Sequence, residues 1–147
     1  MNIKKVKKID EKISTFLFNL RNKNYVRKNS TNYSKIKLKN HKQWIKKFLN
    51  TKNKLYIVKK GKLPIGYVRL ELKKNIYKTS WALTKKFQGK GYAKKSLSYV
   101  TRNRRYKYKA LIKTNNIASM KIATQCLFKF RAKKSGIAYL YKNLSKE

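Results

Sequence analysis

The stretch that decides the fold reads Trp81-Ala82-Leu83, then Gln88-Gly89-Lys90-Gly91-Tyr92-Ala93, and then runs on to Val100. The apolar run reads as a strand and the glycine pair as a turn. Ala93 to Val100 reads as a helix with Ala93, Leu97 and Val100 aligned. A strand, a glycine-rich turn and a helix start together make a phosphate cradle. The glycines let the backbone approach a ligand, and the free N–H groups of the first helical turn point at it. Many glycine turns bind nothing, so the meaning of this one comes from its flanks.

Upstream, Ile3 to Ile9 alternates loosely as a first strand. Asp10 is a natural N-cap for a helix carrying Ile13, Phe16, Leu17 and Leu20 on one face. Arg21 to Lys39 is polar without sustained periodicity, a long connection of the kind that often carries function. Asn40 is positioned to cap a second helix with Trp44, Ile45, Phe48 and Leu49 inward.

The pattern then changes to strands. Leu55 to Val58 is one, and Gly61-Lys62 a turn. Ile65 to Leu72 alternates, with Ile65, Tyr67, Arg69 and Glu71 on one face and Gly66, Val68, Leu70 and Leu72 on the other. Ile76 to Thr84 follows through a short connection, so the three strands read as an antiparallel meander.

After the glycine loop and its helix come a strand from Tyr108 to Lys113 and a helix from Asn116 to Leu127. Two closing strands, Phe128 to Arg131 and Ile137 to Tyr141, flank the turn at Ser135-Gly136. The expected fold is mixed α+β. It is a three-layer sandwich with a central, mostly antiparallel mixed sheet of about six or seven strands and about four helices.

The chain of 147 residues is one domain, 1–147, and its 41% apolar content supports one core. No run approaches the roughly 18 apolar residues that span a bilayer. The basic start, Met1 to Lys8, leads into no apolar segment, so the expected location is the cytoplasm. Cys126 stands alone and falls in an apolar helical pattern, which marks a core residue and leaves no internal disulfide.

The charge is extreme: 42 Lys and Arg against 4 Asp and Glu, or +38. An A/T-rich genome would raise Lys, Asn, Ile and Tyr. It would favour Glu codons as well, so it does not account for the missing acids. The functional reading is an anionic partner, whether nucleic acid, membrane lipid or phosphorylated small molecules. The lysines are spread along the chain, which describes a general field and does not favour a focused nucleic-acid face.

The element order, with the loop between the fourth strand and the third helix, resembles the GNAT superfamily of N-acetyltransferases over nearly the whole chain. The family's loop has Arg or Gln, two residues, Gly, one residue, then Gly or Ala. Gln88, Gly91 and Ala93 hold those places. Its second motif is an Asn opening the next helix, a small residue three later and Gly-Phe near the helix end. Asn116, Ser119, Leu127 and Phe128 stand there, with Leu in place of the usual Gly, a departure expected to alter how the helix ends.

A narrower resemblance lies in Leu20-Arg21-Asn22, Val26 to Ser30, Ile36, His41, Trp44 and the strand from Pro64 to Glu71. These are similar to the sugar N-acetyltransferases of pseudaminic- and legionaminic-acid biosynthesis, which contribute to surface polysaccharides and acetylate an amino group on a nucleotide-linked deoxysugar.

The resemblance implies acetyl-CoA as co-substrate, no metal, and an anionic amino-sugar nucleotide as acceptor. Backbone donors from Gly89 through Lys90, Gly91 and Tyr92 to Ala93 would hold the pyrophosphate, with Gln88, Asn116 and Ser119 beside it. A backbone N–H near Leu83 would polarise the thioester carbonyl. Arg21, Arg27, Ser30, His41 and Trp44 would sit on the acceptor side.

Glu71 is the one carboxylate in the catalytic half, and His41 the one histidine; both are candidate bases, against readings as a strand-end charge and a packed helix residue. The tyrosine that many family members use as acid is Ala123 here. Tyr92 or water could replace it, or the thiolate could leave unprotonated. A strongly positive field would favour both the free amine and the thiolate. Two other readings keep the fold: a protein acetyltransferase, acting for instance on a ribosomal protein, and a degenerate basic binding module.

Overall fold

A computed structural model describes residues 1–144. The strands are β1 (Asn2–Lys5), β2 (Lys54–Lys60), β3 (Leu63–Lys73), β4 (Ile76–Leu83), β5 (Lys107–Lys113), β6 (Lys129–Lys134) and β7 (Ile137–Lys142). The helices are α1 (Glu11–Arg21), α2 (Asn24–Asn29), α3 (Leu38–Leu49), α4 (Tyr92–Val100) and α5 (Ile117–Gln125), with a 3-10 turn at Lys85–Phe87. The strands form one seven-stranded sheet in the order β1-β2-β3-β4-β5-β7-β6. Every pairing is antiparallel except β4 with β5.

Alternation along the strands feeds two cores. On one face Leu55, Ile57 and Tyr67 meet Leu17 and Leu20 of α1 and Ile45 and Phe48 of α3. On the other, Val68, Leu70, Tyr108, Ala110 and Leu140 lie under Leu97 of α4 and Ala123 of α5. The result is the expected three-layer sandwich. Cys126 is buried there, and burial pushes its thiol pKa up.

Three local expectations change. Ile65 packs with Val68 and Leu70, not with Tyr67 and Arg69. The register slips between Val58 and Lys59, which pair with Gly66 and Pro64, so Ile65 is an extra residue in a bulge that turns it to the opposite face. The second long helix starts at Leu38 after Lys37, so Asn40 falls inside its first turn and caps nothing.

The polar connection also holds an additional short helix, α2. Tertiary bonds fix it: Asn22 accepts from the Ile36 N–H at 2.8 Å and donates to the Ile36 carbonyl at 2.9 Å. The Lys85 N–H donates to the Tyr25 hydroxyl at 3.0 Å. The α1 cap is as expected, with Asp10 accepting from the Ile13 N–H at 2.8 Å.

Candidate active site

Strands β4 and β5 are paired only from Ile76–Lys107 to Lys78–Lys109 and then separate. The gap opens into a cleft of about 550 Å³. The Thr84 N–H bonds the Ile65 carbonyl of β3 at 2.8 Å. Successive N–H groups of a strand alternate in direction, so the Leu83 N–H points the other way, into the gap. Leu83 lines the cleft, and Gln88 donates to its carbonyl at 3.2 Å.

The glycine loop forms the cleft's next wall. Gly89 and Gly91 adopt φ of 74° and 84°, where side chains with a Cβ are strained. Gly91 is the N-cap of α4 and supplies no side-chain cap. The first intrahelical donor is Lys95, whose N–H bonds the Gly91 carbonyl at 3.1 Å. The amides of Tyr92, Ala93 and Lys94 therefore have no acceptor within the helix. These unsatisfied donors, at a helix start that carries exposed lysines, fit an anionic diphosphate.

Asn116 caps α5, its Oδ1 accepting from the Ser119 N–H at 3.2 Å, and both residues face the cleft. The departure at Leu127 leaves the helix end intact. Leu127 takes φ of 71°, and the Phe128 N–H closes on the Ala123 carbonyl at 3.0 Å. Ala123 itself is wholly buried.

A sequence profile match now joins this geometry: residues 7–129 match the acetyltransferase (GNAT) domain family. The chain belongs to the GNAT acetyltransferase family. Acetyl transfer from acetyl-CoA is the chemistry of this family, and the cradle has the donors such a co-substrate needs. Among curated proteins, no sequence matches the GNAT chain.

Solved structures share its fold. A ribosomal-protein-alanine N-acetyltransferase from Brucella melitensis has a TM-score of 0.81 at 17% identity, covering 98% of this chain and 100% of that one. A domain from Methanocaldococcus jannaschii reaches 0.80 at 21%, covering 97% and 99%. The N-acetyltransferase PseH of Campylobacter jejuni, in complex with acetyl coenzyme A, reaches 0.72 at 15%, covering 98% and 99%.

The end of the GNAT cleft away from the glycine loop is built from α1, α2, β3 and β4. Arg21 and Ser30 line it. The Ser30 hydroxyl donates back to the Val26 carbonyl at 2.8 Å, which ends α2. Arg27 lies off the lining, over the Tyr33 ring at 5.0 Å. Trp44 is also off the lining and sits beneath the guanidiniums of Arg21 and Arg69, 4.3 and 5.3 Å from its ring centroid.

His41 is wholly buried between α1 and α3 and does not face the cleft. Its Nε2 lies 3.2 Å from the Ser14 carbonyl, which makes Nε2 the protonated nitrogen. Burial and then the Arg21 charge hold its pKa below the usual histidine value.

Glu71 is likewise off the lining, bonded to Lys73 at 3.0 Å. Burial pushes its carboxyl up, but Lys73, Arg69 and Lys78 together bring it below the ordinary range.

Among the lining residues that the sequence did not point to are Tyr25, Arg69 and Lys78. Arg69 was readable only as sharing a face with Tyr67. Nothing local said that this face meets α1. Burial, together with Arg69, lowers the Arg21 guanidinium to about 10. Burial and Arg69 also lower Lys78.

Proposed function

We propose that this GNAT domain acetylates a primary amine of an anionic amino-deoxysugar nucleotide by direct attack within a ternary complex. The observation that supports it is one continuous cleft. One wall is the amide cradle, and the other carries Arg21, Arg69 and Lys78. Among the described residues the ion pairs are Lys42–Glu11 and Lys73–Glu71, so no acid pairs with these three cations. A polyamine would meet like charge there, whereas a sugar diphosphate meets donors.

Acetyl-CoA supplies the acetyl thioester. The amides of Tyr92, Ala93 and Lys94 hold its diphosphate, and Lys90, Lys94 and Lys95 add charge. The Leu83 N–H stabilises negative charge on the carbonyl oxygen. The cationic surroundings keep the acceptor amine unprotonated and the thiolate stable, so the absent tyrosine at Ala123 is not required. Glu71 and His41 then act by positioning. Glu71 anchors Lys73 on β3, and His41 ties α3 to the Ser14 carbonyl of α1 beneath Arg21. The reaction is cytoplasmic.

A thiol-release assay with acetyl-CoA tests this against three acceptor sets: amino-deoxysugar nucleotides, polyamines and basic peptides. Turnover should appear with the sugar nucleotides. Turnover confined to peptides would overturn the proposal in favour of a protein acetyltransferase. The +38 charge favours that second reading, because it would suit docking on RNA.

A further inference from the structure

Two arginines share one indole in this molecule, and among the described residues neither forms an ion pair. Arg21 comes from the end of α1 and Arg69 from the middle of β3, and both lie over Trp44 of α3. Among the described residues the buried Nη1 of Arg21 and the buried Nε of Arg69 meet no hydrogen-bond acceptor. Both residues line the cleft, half-buried, so each guanidinium has one edge desolvated by protein and another toward the cavity.

The groups around them give little relief, since the Glu71 carboxylate that feels the Arg69 charge is committed to Lys73. Tyr67 offers a phenol, Lys78 adds a third cation, and the Glu71 carboxylate is bonded to Lys73 at 3.0 Å. Desolvated like charges in contact with one ring cost stability unless something compensates them. Arginine's planar fork is the natural receptor for an oxyanion with two acceptor edges.

We infer that Arg21 and Arg69, braced on Trp44, form an oxyanion subsite for a phosphoryl or carboxylate group of the acceptor, and that Arg69 selects anionic acceptors. This rests on the reading of that cleft end as the acceptor side. Arg69 pairs with Ser80 on β4, three residues before Leu83. At a strand rise of roughly 3.3 Å per residue, the two lie about 10 Å apart along the strand. The anion and the reacting amine are therefore on separate parts of the acceptor, as in a sugar diphosphate and unlike a free amino acid.

The test uses the whole chain with the cradle saturated by CoA. Inorganic pyrophosphate, UDP and a dicarboxylate are titrated by calorimetry against the native protein, Arg69→Gln, Arg69→Lys and Arg21→Gln. Lys62→Gln, at the exposed β2–β3 turn, controls for loss of one charge from the general field.

Both glutamine variants should weaken pyrophosphate or UDP binding by about tenfold or more, with Arg69→Lys intermediate and Lys62→Gln near native. Preference for the dicarboxylate would name a carboxylate source. Arg69→Gln should also melt at a higher temperature than the native protein without ligand, because it relieves the charge conflict. A merely structural arginine would lower it. Equal small losses in Arg69→Gln and Lys62→Gln, or a fall in melting temperature with unchanged binding, would overturn the inference. If the anions bind as expected but no sugar nucleotide is acetylated, the subsite stands and the sugar reading falls.

Discussion

Gly66 and Leu83 face one another across β3 and β4, and a Cβ on Gly66 would collide with the Leu83 side chain and the Ala82 carbonyl. The glycine thus allows the close approach of the strand whose end carries the N–H aimed into the cleft. Gly66→Ala should destabilise the fold by about 1–3 kcal/mol and lower kcat more than it raises KM for acetyl-CoA. Thermal denaturation and steady-state thiol release check both parts. A variant with native stability and kcat would show that the approach has no such role.

Leu127 occupies the left-handed region while 71% exposed, so its side chain contributes little burial to offset the strain. Leu127→Gly should stabilise the protein by about 0.5–1 kcal/mol in urea unfolding, since the helix end already has the bonds of a glycine-terminated helix.

Lys142 is a buried cation whose one hydrogen bond among the described residues goes to the Thr101 hydroxyl, at 2.8 Å. Burial lowers its pKa below the ordinary lysine value. The unfolded chain then binds the proton more tightly than the fold. Stability from this group is present above its unfolded pKa of 10.5 and is lost as pH falls through the lower folded value. Lys142→Met should therefore stabilise the fold at pH 7, by about 1–3 kcal/mol. It should also flatten the alkaline rise in stability relative to the native chain, as read by melting temperature against pH.

The cationic cleft should depress the acceptor amine's apparent pKa in the rate profile. Salt screens such a field, so the kinetic pKa should climb toward the free amine's value as ionic strength rises. A profile that ignores salt would place the proton transfer on a specific base.

Glu71→Gln provides the converse check. A true general base contributes about 10²–10⁴-fold to rate. Because Glu71 is held ionised by Lys73 and lies off the cleft, its loss should change kcat by less than about tenfold. A hundredfold loss would return it to the chemistry.

Much of this protein was decided locally and so was legible in the chain. Asp10 and Asn116 cap helices through bonds to residues three positions on, and the glycines at 89 and 91 set their own φ angles. Strand alternation depends only on the pleat, which is why the meander could be read in advance. What spans the chain could not be. The bulge that turns Ile65 over arises from pairing between two strands, and α2 is held by bonds from Asn22 to Ile36 and from Lys85 to Tyr25. His41 looked like a base until packing enclosed it, and Trp44 like a substrate contact until two arginines covered it. The sequence determined the elements and the cradle, because neighbouring residues make them. The convergence of Arg21, Trp44 and Arg69 belongs to the tertiary structure alone, because three separate elements must pack before those charges meet.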